Sequence, residues 1–391
     1  MRLLIHALGA SAGGGLTYLR NVLPHLAKHS EIDVVVLAGN DARGIIPGGI
    51  RLVDAEPSGQ GTALRFLWEQ REVPKIVRKM EADVLLCAGN FAVWRSPASQ
   101  ILLSRNSLYT SEDFARDLRR RGAYGLLIDT RIKGLLARKS VGRAELTVVP
   151  SEAFGKELQA WSDRPVVALH HGFDRELFFR DAEPLPQPMQ EKPARIPGTV
   201  SLLFVSHYNY YRNFETLLKA LALLKQRRVT GKVRLVLTCE LSPGKNPGSY
   251  DTSEASALLR QLNIADEVVQ LGAVSYSKLH QVYRSCDVYV TPAYTETFAH
   301  PLVEAMACGL PIVASDIAVH REITAGAALF FEKFSPADLA DKLSMVVSSP
   351  DLQSDLGRRG LERSTHFSWK THADTLVKLA QSLVESRPAA Q

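Results

Sequence analysis

The chain has 391 residues, 46% of them hydrophobic and 23% charged, proportions that belong to a soluble globular protein long enough for two domains. No segment approaches the roughly 20 consecutive apolar residues of a membrane-spanning helix. The formal charge of +6 is uneven: residues 1–180 hold 25 Lys/Arg against 19 Asp/Glu, and residues 181–391 hold 22 of each. Cys87, Cys239, Cys286 and Cys308 are scattered and form no C-x-x-C pair, which argues for a reducing compartment and against a zinc cluster. Cytoplasm is the expected location.

Residues 2–8 read as a buried strand rather than a signal peptide, because the apolar run is short, broken by His6 and followed by a glycine loop from Gly9 to Gly15. A helix over 16–29 and a strand over 32–38 complete a βαβ opening and predict a parallel sheet. Further short apolar strands follow at 84–87, 101–103 and 146–150, then a helix over 151–161 with Ser151 as its cap. Gly13, Gly14 and Gly15 permit close backbone approach to a phosphate. A dinucleotide fold is the rival, with Asp41 after the second strand, but the glycines do not give G-x-G-x-x-G.

Residues 114–144 carry nine Lys/Arg against Asp117 and Asp129, interleaved with leucines and isoleucines. That pattern reads as a solvated basic face over a core stripe, or as a basic amphipathic helix resting on an anionic membrane surface. No aromatic stacking platform or reading motif accompanies it, so nucleic acid is not an expected partner.

Periodicity fails over 181–198, where prolines crowd a polar stretch, and that segment reads as a linker. A second βαβ series then begins. It has strands near 201–206, 233–238, 268–271, 288–290 and 311–314, and helices near 214–227, 276–285, 335–348 and 369–384. The domains expected are 1–180, 199–365, and a C-terminal helix with its tail over 366–391.

Within the second series, Glu296 and Glu304 stand with seven residues between them. Pro301 suits the first turn of a helix, His300 its cap, and Gly309 its end before Pro311. A helix N-terminus favours a phosphate, and a carboxylate beside it makes sense only facing neutral hydroxyls such as a vicinal diol.

Glu296, Glu304 and the following Ala-Met-Ala-Cys-Gly-Leu-Pro-Ile-Val-Ala-Ser resemble the signature of retaining GT-B glycosyltransferases of family 4. The resemblance implies an α/β GT-B-like fold: two doubly wound Rossmann-type domains facing a central cleft, with the last helix crossing back to the first domain. It further implies metal-independent transfer of a sugar from a nucleotide-diphosphate sugar to a glycan or lipid-linked acceptor, without a cofactor. The first domain would be the acceptor side and the second the donor side.

Carried onto these residues, Glu296 would meet the donor sugar and Glu304 the ribose. Phe298, Ala299, His300, Pro301 and Leu302 would line the donor, with Gly14 and Gly15 near its phosphates or the acceptor. Where the family usually has Gly-Phe-Gly, this chain has Thr297-Phe298-Ala299. His207 and Arg212 stand where Arg and Lys are usual, to neutralise the diphosphate. Asn106 takes the place of a first-domain histidine. His170 to Asp174 with Phe178 resemble the family's hinge segment. A nucleotide-sugar epimerase or phosphorylase, a non-catalytic nucleotide-sugar binder and a nicotinamide oxidoreductase are the rival functions.

Overall fold

The computed structural model describes the chain except residues 10–13, 56–60, 188, 194, 228–230, 249 and 387–391, and the side chains of Asp41 and Thr62. The readings placed on Gly13 and on the Asp41 carboxylate therefore lie outside the described residues. Two compact units emerge. Unit 1 comprises Met1–Ser111, Gly122–Gly172 and Ser368–Gln391; unit 2 comprises Glu112–Arg121 and Phe173–Phe367.

Unit 1 is built on seven strands: β1 Arg2–His6, β2 Asp33–Ala38, β3 Arg51–Asp54, β4 Val84–Cys87, β5 Ser99–Leu103, β6 Leu146–Val149 and β7 Val166–Ala168. They form one parallel sheet in the order β3-β2-β1-β4-β5-β6-β7, with Ile5 paired to Val36 on one side and Leu86 on the other. Strands buried on both faces need apolar residues at nearly every position, and β1, β4 and β6 supply them. Alternation divides them between two cores. Leu3, Ile5 and Ala7 pack with the Gly14–Leu26 helix, while Leu4 and Leu8 pack with Val73, Val77 and Phe154.

The last helix, Trp369–Glu385, belongs to unit 1. Its Trp369, Ala373, Leu376, Val377 and Ala380 repeat at helical spacing and are buried against that first core. Ser368 caps it by accepting from the Thr371 amide at 3.2 Å. Gly172 is required beside its start, since a Cβ there would lie 2.1 Å from the Trp369 nitrogen.

Unit 2 has six strands: β8 Thr199–Phe204, β9 Lys232–Leu237, β10 Val268–Gln270, β11 Val288–Thr291, β12 Ile312–Ser315 and β13 Leu329–Phe331. Its parallel order is β10-β9-β8-β11-β12-β13. Each sheet thus reverses its strand order once, between β1 and β4 in unit 1 and between β8 and β11 in unit 2. Loops leaving the carboxyl ends of strands on either side of such a reversal form the usual ligand crevice of doubly wound sheets.

Two expectations change. The proline-rich 181–198 segment is laid on unit 2 rather than hanging between domains. Leu185 is buried, Asp181 accepts from Lys278 at 3.2 Å, and the carbonyls of Lys192 and Pro193 accept from Arg234, each at 3.1 Å. The units instead divide at Gly172–Phe173. The basic 114–144 stretch is also two helices, Glu112–Arg120 and Tyr124–Val141. They are parted by Gly122 at φ +66° and belong to different units.

Candidate active site

The loops after β8 and β11 are stitched together in unit 2. The Tyr210–Arg212 turn ends at Asn213 in the left-handed region, which asparagine tolerates better than most residues. The Asn213 side-chain Nδ2 donates to the Pro292 carbonyl at 3.2 Å, and the Tyr294 backbone amide donates to the Tyr211 carbonyl at 3.1 Å. This juxtaposes two residues 84 positions apart: Arg212 Nη1 donates to Glu296 Oε1, and both side chains are mostly buried. Arg212 Nε is buried without a partner among the described residues, so the guanidinium keeps hydrogen-bonding capacity beyond its carboxylate.

The structure therefore joins Arg212 and Glu296 but not His207. The His207 side chain is exposed, and its carbonyl accepts from the Ser206 hydroxyl at 2.7 Å and the Asn209 side chain at 3.1 Å.

The His300–Ala307 helix begins one residue earlier than its sequence suggests. Ala299, not His300, is the cap, and its φ of +63° and ψ of +64° put it in the left-handed region that glycine occupies without strain. This is where the resembling family has its second glycine. Pro301 falls in the first turn. The Phe298 ring is buried against His300 and Phe367, with centroids 4.8 and 5.4 Å apart, so its side chain serves the core. Leu302 is buried and its amide already donates to the Ala299 carbonyl at 2.9 Å, leaving that residue no donor for a ligand.

Glu304 is buried and accepts a hydrogen bond from the Tyr283 hydroxyl at 2.8 Å. Burial pushes its carboxyl up to about 7, a rise the Tyr283 bond only partly offsets. Tyr283 is raised well above the usual phenol value by its own burial and by the carboxylate beside it.

Sequence reasoning missed the support for these loops. Helix Glu112–Arg120, from the first third of the chain, packs on unit 2. The Arg121 side chain, 8% exposed, meets Asp117 at 3.0 Å, Glu215 at 3.0 Å and Glu254 at 2.7 Å. Its guanidinium lies 4.2 Å from the centroid of the Tyr210 ring. Burial opposes that charge, but Glu215, Asp117 and Glu254 outweigh it and raise the Arg121 pKa. Asp117 also accepts from the Tyr294 hydroxyl at 3.0 Å. One charged cluster thus braces both the turn that carries Arg212 and the loop that leads to Glu296. Its only sequence trace is a basic run.

In unit 1, Gly14 opens the first helix, and a Cβ on it would meet nothing within 4 Å among the described residues; Gly15 follows in the first turn. Asn106 is half-buried, and its side-chain oxygen caps the Ser107–Tyr109 turn by accepting from the Leu108 amide at 3.1 Å. Its acceptor is therefore engaged locally. All four cysteines are free thiols. Among the described residues, no three of His, Cys, Asp or Glu converge as a metal site would need, and no helix is long and apolar enough to cross a membrane.

Two parallel-sheet units with a returning C-terminal helix define the GT-B class. Sucrose-phosphate synthase from Thermosynechococcus elongatus shares the fold over 99% of this chain and all of its own, with a TM-score of 0.77 and 17% identity. Anabaena Alr3699/HepE in complex with UDP-glucose does so over 98% of this chain and all of its own, with a TM-score of 0.71 and 17% identity. Family models match both halves: glycosyltransferase family 4 over residues 12–177 and glycosyl transferases group 1 over residues 188–363. The chain belongs to the family 4, group 1 glycosyltransferases. Among curated relatives, D-inositol 3-phosphate glycosyltransferase of Pseudarthrobacter chlorophenolicus is 33% identical over 183 residues. That match spans 46% of this chain and 42% of the relative, less than half of each.

Proposed function

We propose that this protein is a retaining, metal-independent glycosyltransferase that takes its sugar from a nucleotide diphosphate sugar. The observation that carries the reading is the Arg212–Glu296 pair at the β8/β11 reversal, within a few residues of the start of the His300–Ala307 helix. In this reading Arg212 neutralises the diphosphate as the glycosidic bond breaks, and the helix start adds backbone dipole to the same charge. Glu296 releases one side of its ion pair to meet sugar hydroxyls. Glu304, its carboxyl raised by burial, receives the ribose diol. The family membership and the UDP-glucose complex of a fold neighbour support a nucleotide sugar as donor.

The test is acceptor-dependent release of nucleoside diphosphate from a panel of uridine, guanosine and adenosine diphosphate sugars, with the anomeric configuration of the product read by NMR. Release that persists in a chelator, with the donor configuration kept, is expected. Inversion would overturn retention; a requirement for added magnesium or manganese would overturn metal independence. Donor binding without transfer to any acceptor offered would favour the non-catalytic binder.

The acceptor is proposed to be glycan or lipid-linked, reached from an anionic membrane surface. Tyr124, Ile128, Ile132 and Leu135 recur on one face of the Tyr124–Val141 helix and are 61, 60, 54 and 69% exposed. Exposed Arg131 and Arg138 flank that stripe. An apolar stripe with a cationic edge matches the boundary between headgroups and acyl chains. Sedimentation with phosphatidylglycerol vesicles, weaker with phosphatidylcholine and lost in Ile128→Ser/Leu135→Ser, is expected. A concentration-dependent dimer that the same changes dissolve would instead make the stripe a self-association surface.

A further inference from the structure

Unit 1 holds a charge that the donor reading leaves unused. Arg105 follows β5, and its guanidinium reaches back over the β1/β4 reversal. Nη1 donates to the Gly14 carbonyl at 3.1 Å and Nη2 to the Ala88 carbonyl at 2.8 Å. Gly14 opens the helix that follows β1 and Ala88 directly follows β4, the pair of strands expected to flank a ligand crevice. The guanidinium carbon lies 4.7 Å from the centroid of the Tyr18 ring.

Tyr18 is itself fixed. Its hydroxyl pairs with His372 Nε2 at 2.9 Å, and His372 Nδ1 with the His170 carbonyl at 2.9 Å. A carbonyl only accepts, so Nδ1 carries the proton and Nε2 accepts from the phenol. Burial holds His372 down at about 4, which keeps this tautomer neutral at physiological pH.

Among the described residues Arg105 meets no carboxylate, whereas Arg121 meets three and Arg212 meets Glu296. Burial depresses its pKa, with Tyr18 the sole opposing influence, but arginine stays charged regardless. Two carbonyls engage two of its five N–H groups. Half-buried and without a counterion among the described residues, this cation gains from an anion that joins it. Beside it the Gly14–Leu26 helix begins with no acid in its first turn, and no described residue comes within 4 Å of a Cβ built on Gly14, an arrangement that favours a phosphate.

We propose that unit 1 binds a phosphate ester at the β1/β4 reversal, held by the Arg105 guanidinium and the start of the Gly14–Leu26 helix. Assigning that phosphate to the acceptor rests on the transferase reading; the existence of the site does not. Arg105 then acts as a specificity-determining residue for a phosphorylated acceptor.

The test titrates inorganic phosphate into the full chain calorimetrically, with and without saturating UDP. Phosphate binding that survives UDP is expected, weakened about tenfold or more in Arg105→Gln, the scale of one lost charge-assisted contact. Arg105→Lys, which keeps the charge without the fork, should fall between. Phosphate displaced entirely by UDP, or bound equally by a folded Arg105→Gln chain, overturns the proposal. So does unaltered binding by Arg105→Lys should the glutamine variant fail to fold. If UDP does not bind at all, the donor reading fails, while the variants still decide the Arg105 site in UDP-free titrations.

Discussion

The two sheets reverse strand order in the same way but load the reversal differently. In unit 2 the cation is paired in advance: Arg212 rests on Glu296, and Arg121 with three carboxylates braces the loops from behind. In unit 1 the cation meets no carboxylate among the described residues, and Arg105 is held by two carbonyls and a tyrosine face. A prepaid pair lowers the cost of an empty site and must be reopened by a ligand. A bare cation binds an anion directly but leaves the empty site less stable. Charge is therefore managed locally at each reversal, and fold similarity alone would not reveal it.

The largest effect should come from removing the brace. Arg121→Met leaves Glu215 buried without its counterion and Asp117 with only the exposed Arg120 at 3.0 Å, and breaking a buried pair in that way typically costs about 3–5 kcal/mol. Denaturant unfolding should show a loss of that order; a loss near zero would mean that the cluster does not hold the donor-side loops.

Next, Arg212→Ala should lower kcat by roughly two to three orders of magnitude while donor affinity falls less, because charge on the leaving diphosphate grows in the transition state. Arg212→Lys should recover part of the rate. Unchanged rates in both would reduce Arg212 to a partner of Glu296.

A third effect is read in pH. The Glu304 carboxyl is raised to about 7 in the folded chain from an ordinary 4.5, so the native state holds a proton that the unfolded state has lost. Stability should fall as pH rises from about 4.5 to 7 and level off above. Glu304→Gln should flatten part of that slope, the buried Glu69, also raised to about 7 by burial, supplying another part. Nucleotide that binds the Glu304 carboxylate should gain affinity as pH rises through 7, and calorimetry in buffers of different ionisation enthalpy should show proton release. Proton uptake would mean that the ribose meets the neutral acid.

The smallest effect is Ala299→Gly. Relief of the left-handed strain exceeds the added freedom of the unfolded chain, so a gain of about 0.5–1 kcal/mol is expected. A loss would mean that the alanine methyl makes a contact worth more than the strain.

Much of this was readable beforehand. Buried central strands announced themselves as apolar runs, and the capping serine at 151 marked a helix start that the structure keeps. Three of the edge strands did not: β3 carries a charge at each end of its four residues, and β7 and β13 have three residues each. Prolines over 181–198 looked like a linker because composition cannot report which carbonyls a distant Arg234 will claim. The left-handed Ala299 was invisible for a related reason, since alanine carries no preference for that conformation and only the loop imposes it. Arg105 stood alone in an uncharged stretch and Arg121 in a basic run, yet among the described residues the first meets no carboxylate and the second meets three. That distinction depends on partners up to 133 residues away.

The most direct test of the account is UDP binding to the full chain measured calorimetrically, in parallel with Arg212→Ala and Arg105→Gln variants that remain folded. UDP should bind the wild type, bind Arg212→Ala more weakly, and bind Arg105→Gln as well as the wild type. UDP affinity that depends on Arg105 and not on Arg212 would contradict it, because the nucleotide would then belong to unit 1.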